Sequence, residues 1–252
     1  MNIISIFTDG SSRGNPGPGG WGSVVVDGNT VIELGGGEKH TTNNRMELSA
    51  AIYGLQKASE AFGKVRNDAE NTSVKIFSDS SYVINGITKW VHGWKRNGWK
   101  TKTKDDVVNV DLWQKLDDAV AQIGTKNISW EYVGGHIGVA GNERCDEIAT
   151  GYADGDEVKL YEGTLSGYSI PNILDVSHDE TLLKAKKSSS SKSKSSAKAY
   201  SYVSSVGGKI EIHHTWAECE KRVKGAKGAR FKKSFSPENE KEVIDEFGAL
   251  LF

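Results

Sequence analysis

The sequence predicts an α/β protein in which a mixed, five-stranded sheet is flanked by helices, followed by a small β/α module toward the C-terminal end. Three observations carry this. Two β-branched runs around Asp27-Gly28-Asn29 read as a hairpin, and after them helical and strand-like segments alternate, an order that joins antiparallel to parallel pairing with helices on the sheet faces. A Ser/Lys tract, KAKKSSSSKSKSSAK, then runs over 184–198 without any apolar residue large enough to build a core. Beyond it aromatic and aliphatic residues return over 200–252, enough for a minimal module. The 252 residues therefore divide into a first domain over 1–152, an irregular acidic extension over 153–183, a linker over 184–199 and the module over 200–252.

Taken in order, IISIFTD at 3–9 alternates as a strand and ends in Asp9, and GSSRGNPGPGG after it is rich enough in Gly and Pro to predict a loop. Residues 22–35 supply the hairpin. Leu48, Ala51, Ile52, Leu55, Ala58 and Phe62 recur at helical spacing, which predicts a helix over 46–62 with Glu47 in its first turn and Thr42, Asn43 and Asn44 as capping candidates. VKIFSD at 74–79 repeats the pattern of a buried strand ending in a carboxylate, Asp79. A helix over 111–123, a strand over 128–133 and a helix over 142–152 carrying Asp146 complete the first domain. The module reads as a strand-like start, a helix over about 216–223, a strand over 230–235 and a helix over 237–247.

The formal charge of −1 gives no argument for a polyanionic partner, but charge is unevenly placed. From Lys184 to Lys233 a dense series of lysines and arginines is opposed only by Glu211, Glu218 and Glu220. The two cysteines, Cys145 and Cys219, have neither disulfide-framework nor zinc-site spacing and fit a reducing cytoplasm. No run of about 18 apolar residues is present and the start of the chain lacks a signal-peptide pattern, so the expectation is a cytoplasmic protein without a membrane partner.

Four segments, TDGSSRGNPGPGGWG at 8–22, TTNNRMEL at 41–48, FSDSSYVINGITKWVHGWKRNGWKT at 77–101 and VGGHIGVAGNERCDEIA at 133–149, closely resemble the bacterial type 1 ribonuclease H family, in order and with family-like spacing. Each acid alone reads as a solvated surface charge; four of them within four matching motifs do not. The resemblance implies a ribonuclease H-like fold and an endonuclease that hydrolyses the RNA strand of RNA/DNA hybrids, leaving 5′-phosphate and 3′-hydroxyl ends. It implies Asp9, Glu47, Asp79 and Asp146 as ligands for two Mg²⁺ ions, with Mn²⁺ as a substitute, consistent with the oxygen ligands such cations favour. It assigns His136 a proton-shuttle or product-release role, with Asn142 positioning it or the water. Gly10, Ser12, Asn43 and Asn44 resemble readers of the 2′-hydroxyl, and Asn15 and Thr42 part of a pocket for a DNA phosphate.

The segment 88–104 resembles the family's basic handle, with Trp90, Lys95, Trp99 and Lys100 as hybrid contacts, although packing is the commoner fate of such tryptophans. Gly134 and Ser81 depart from the lysine and glutamine frequent in relatives, which bears on strand contacts. Tyr202, TWAECEKRVKG at 215–225 and ARFKKSF at 229–235 resemble the hybrid-binding (viroplasmin-like) domain of eukaryotic type 1 enzymes, which implies Tyr202, Trp216 and Phe231 as contact aromatics with Lys232 and Lys233 on phosphates. The alternative for Trp216 and Phe231 is that they fill a small core. The expectation is a monomer whose flexible linker raises local substrate concentration. Two other readings stay open here, a non-catalytic binder on the same fold and a related integrase or transposase.

Overall fold

Near-continuous apolar character in the first strand signals burial on both faces, and that is where it lies. The computed structural model describes residues 2–64, 72–101, 103–134, 138–176 and 199–249. They divide into two units, Met1–Ile87 with Asp111–Lys192, and Thr88–Val110 with Ser193–Phe252.

The first unit is built on strands β1 (Asn2–Ser12), β2 (Gly17–Asp27), β3 (Thr30–Thr41), β4 (Thr72–Ser78), β5 (Ile128–Tyr132) and β6 (Glu162–Thr164), ordered β5-β4-β1-β2-β3-β6. β1, β2 and β3 pair antiparallel as the hairpin pattern requires, while β1–β4 and β4–β5 are parallel. Helices α1 (Asn43–Lys64), α2 (Ser81–Asn85), α4 (Val110–Ile123) and α5 (Ala140–Asp154) accompany the sheet. Phe7, Val24, Val26 and Val31 cluster with Cys145 and Ile148 of α5. Ile6, one residue out of step, instead lies against Gly54 of α1. Successive side chains of a strand point to opposite faces, so α1 and α5 sandwich the sheet, and each large apolar group buried this way stabilises by about 1.5–3 kcal/mol.

Three expectations are corrected. The Gly/Pro-rich stretch after Asp9 is mostly strand: β1 runs to Ser12 and β2 starts at Gly17, leaving only residues 13–16 as the connection. The glycines serve packing instead, since a Cβ on Gly20 would stand 2.2 Å from the Ala149 carbonyl oxygen and one on Gly22 2.4 Å from that of Cys145, so only bare backbone lets α5 lie this close. Helix α1 begins at Asn43, because Thr42 caps it by accepting the Arg45 N–H at 3.4 Å, and this places Glu47 in the second turn. The extension is not wholly irregular either. Its residues 162–164 pair with Thr30–Ile32 as a sixth strand.

Residues 86–90, where the chain passes from the first unit to the second, form a π-helical turn leading into α3 (Val91–Arg96), and the segment closes with a bridge between Lys100 and Asp106. The C-terminal part carries a three-stranded antiparallel sheet, β8-β7-β9, from β7 (Ser201–Val206), β8 (Lys209–His213) and β9 (Arg230–Ser234), with α6 (Trp216–Val223) and α7 (Pro237–Ala249). A capping box between Thr215 and Glu218 starts α6. Val203 packs with Val243 and Phe247 to form its small core. The Val108 N–H donates to Asp245 of α7 at 3.0 Å. The linker tract 184–198 lies outside the described residues.

Candidate metal centre

Parallel pairing of β1 with β4 stops at Thr8 and Ser78, so the next residue on each strand, Asp9 and Asp79, emerges side by side at the same edge. α1 supplies the third acid. A Cβ on Gly10 would fall 2.3 Å from the Glu47 backbone nitrogen, so the glycine after Asp9 is what allows helix and strand to meet there. Carboxylate oxygens of Asp9, Glu47 and Asp79 consequently lie within 4.8 Å of one another. Asp9 and Glu47 are buried and Asp79 is half-buried.

Asp146 is half-buried on α5 and lies outside that tight group, yet close enough for its charge to act on Asp9. Thr150 Oγ1 donates to its Oδ1 at 3.5 Å. Burial first, then the charges of Asp79 and Asp146, push the Asp9 carboxyl up to about 8 against the N–H that Gly10 donates at 2.8 Å. Burial first, then the charges of Asp9 and Asp79, likewise raise Glu47 well above the ordinary carboxylate range. Asn43 Nδ2 donates to Glu47 Oε1 at 3.2 Å, while the buried Oε2 has no hydrogen-bond partner among the described residues.

Such a group is unstable as three anions and stable around positive charge. Oxygen donors only, crowded together, with Glu47 Oε2 lacking a hydrogen-bond partner among the described residues, fit a hard divalent cation.

Around it the other expected residues sort by exposure. Gly10 and Thr42 are buried, Ser12, Asn15, Asn43 and Asn44 half-buried, and Asn15 Oδ1 accepts the Asn43 N–H at 3.1 Å. Asn142 is buried near the start of α5. His136 lies outside the described residues. In the second unit Trp90 is only 5% exposed with its ring 5.8 Å from that of Trp94, which is scaffold packing rather than an open contact surface. Lys95 is exposed, Trp99 half-buried, and Lys100 is ion-paired to Asp106. Tyr202, Trp216 and Phe231 form a continuous aromatic face, with centroids 5.6 and 5.1 Å apart and Trp216 and Phe231 largely open to solvent, so they are not the core of the module. Lys232 pairs with Glu246 at 2.8 Å, and Lys233 Nζ sits 5.0 Å from the Phe235 ring centre.

Two buried acids escaped the sequence reading, Glu33 and, in the C-terminal module, Glu242. Glu33 shares the inward face of β3 with Val31, two residues before it, and that register was the available signal.

A family model described as RNase H matches residues 1–154, and one described as Ribonuclease H1 N-terminal domain matches residues 201–240. A protein named Ribonuclease H from Bradyrhizobium sp. (strain ORS 278) is 50% identical over 149 residues, covering 59% of this chain and 88% of that protein. One of the same name from Cyanothece sp. (strain PCC 7425 / ATCC 29141) is 50% identical over 159 residues, covering 63% of this chain and 94% of its own. Among solved structures, one described as LC9-RNase H1, a type 1 RNase H with the type 2 active-site motif, is 27% identical with a TM-score of 0.51, covering 71% of this chain and 86% of that one.

Proposed function

The chain belongs to the ribonuclease H family, metal-dependent endonucleases that hydrolyse the RNA strand of RNA/DNA hybrids, and from that premise we propose how its residues divide the work. The observation that carries the proposal is the convergence of Asp9, Glu47 and Asp79, from three separate elements, within 4.8 Å. When bound, a pair of divalent cations supplies a deprotonated water and positive charge opposite the departing 3′ oxygen. Asp9, Glu47, Asp79 and Asp146 hold these cations, Mg²⁺ in the first instance and Mn²⁺ as its substitute. Asn43, through its 3.2 Å bond to Glu47, keeps one carboxylate oxygen turned toward the helix and leaves the other for the cations.

Gly10, Ser12, Asn43 and Asn44 bind the RNA strand at its 2′-hydroxyl, the group that separates RNA from DNA, while Asn15 and Thr42 take a phosphate of the DNA strand. His136 moves a proton at the departing product, and Asn142 orients it or the attacking water. Lys95, Lys100 and Trp99 supply the handle's contacts to the hybrid. The chain acts as a monomer in the cytoplasm. Cleavage of end-labelled RNA/DNA, RNA/RNA and DNA/DNA duplexes with and without Mg²⁺ tests the assignment. Only the hybrid should be cut, only with the cation, leaving 5′-phosphate ends; cation-independent or DNA-strand cleavage overturns it.

The C-terminal module adds affinity for the hybrid through Tyr202, Trp216 and Phe231. Tyr202 and Lys233 are register partners and Phe231 is two residues from Lys233, so these three side chains project from one face of its sheet, opposite Val203 and the core. Trp216→Ala should raise the Michaelis constant for long hybrids about tenfold at unchanged turnover, a loss on the scale of one aromatic contact.

A further inference from the structure

The extension makes specific contacts with β3 and α5. Glu33, with a side chain only 1% exposed, accepts four hydrogen bonds on its two oxygens. Arg144 of α5 gives two, Nε to Oε1 at 2.7 Å and Nη2 to Oε2 at 2.9 Å. The Tyr161 N–H gives a third at 2.9 Å and the Tyr168 hydroxyl a fourth at 2.6 Å. Arg144 Nη2 also donates to the Lys159 carbonyl at 3.1 Å. The backbone closes the same loop, with the Glu33 N–H on the Tyr161 carbonyl at 2.8 Å and the Leu165 N–H on the Asn29 carbonyl at 2.7 Å. Farther along, Ile173 is buried in the cluster that contains Cys145 and Ile148 of α5.

These bonds tie three elements at one carboxylate: β3, the extension and the N-terminal half of α5. Arg144 stands two residues before Asp146 on that helix. Asp146 is also the one acid of the four that lies outside the 4.8 Å group, so its distance from the cations depends on where α5 is held rather than on the strand ends.

We propose that residues 158–173 close with Glu33 and Arg144 into a clasp that sets the position of α5, making Glu33, Arg144 and Tyr168 positioning residues for Asp146. The proposal rests on the reading of Asp146 as a cation ligand, and the test separates the two. In the full-length protein, Mn²⁺ binding is measured by calorimetry alongside kcat and KM on a hybrid, for Glu33→Gln, Tyr168→Phe and Asp146→Asn. Glu33→Gln should weaken cation binding about tenfold and lower kcat with KM for the hybrid unchanged, the scale seen when groups supporting metal ligands are removed. Tyr168→Phe, which deletes one hydroxyl and leaves the other three bonds, should give a shift of the same sign and about threefold size; it serves if Glu33→Gln fails to fold. Melting temperatures that fall while cation affinity and kcat stay at wild-type values would reduce the clasp to a structural strap and overturn the proposal. Unchanged binding and turnover in Asp146→Asn would instead remove the ligand reading on which it stands.

Discussion

Two groups of buried acid in one sheet have opposite electrostatics. At Glu33 burial alone would raise the carboxyl, yet hydrogen bonds from Arg144, Tyr168 and the Tyr161 N–H hold it below the ordinary carboxylate range. At Asp9 burial and two neighbouring acids raise the carboxyl to about 8, and one backbone N–H opposes them. Equal burial therefore does not set the outcome; the supply of donors and counter-charge does. The first site is complete within the chain. The second requires a cation from solution, and that requirement is what makes it a place for chemistry.

The sharpest way to break the contrast is to remove one charge from each site. Asp9→Asn should lower hybrid cleavage by a factor on the order of 10³ or more, since cation stabilisation of the transition state amounts to several kcal/mol, while gel-shift affinity for the hybrid stays near wild type. The same substitution should raise the melting temperature of the cation-free protein, because it relieves like-charge crowding. Glu33→Ala should act in the opposite direction on stability, costing about 2–3 kcal/mol in denaturant unfolding, somewhat less than a fully buried broken pair because the Arg144 side chain keeps 21% exposure. If both substitutions moved stability the same way, the contrast would be lost.

A pH series without metal sharpens it further, with the smallest effect. Asp9 binds its proton more tightly folded than unfolded, where its value is 3.8, so its contribution to stability is full below about pH 4 and is lost as pH rises toward 8. Glu33 has the reverse sign: its folded value lies below 4.5, so its contribution is present above that pH and is lost on acidification. Melting temperature in chelator should accordingly decline from mildly acidic pH toward pH 8, and Mg²⁺ should recover more at pH 8 than at pH 5. A flat profile in chelator, unchanged by Asp9→Asn, counts against the raised carboxyl.

Much of the catalytic unit was legible in the sequence because its signals are local. The strand that carries Asp9, the strand that leads into Asp79 and the helix carrying Glu47 follow from periodicity, and the four motifs join them. What escaped depends on partners far along the chain. Gly20 reads as a loop residue until α5 is laid against it, and Glu33 reads as an ordinary strand charge until Arg144 and the extension arrive 111 and 128 residues later. The sixth strand has only three residues, EGT, too few for any periodicity to register, and it exists by pairing with β3. Trp90 shows the limit of pattern in the other direction, since a tryptophan among lysines is open to both contact and packing until its burial decides for packing.

The short pairing of β6 on β3 has a consequence for how this protein behaves in a crowded solution. An uncovered outer strand offers its free amides and carbonyls to any passing chain, and β3 at Thr30–Ile32 would be such an open seam. Covering it with three residues that turn at once into a helical bend, Leu165–Gly167, leaves a border too brief to template another strand. Preparations cut back to residue 154 would thus be expected to self-associate more readily than those reaching 176, a matter of practical handling as much as of biology.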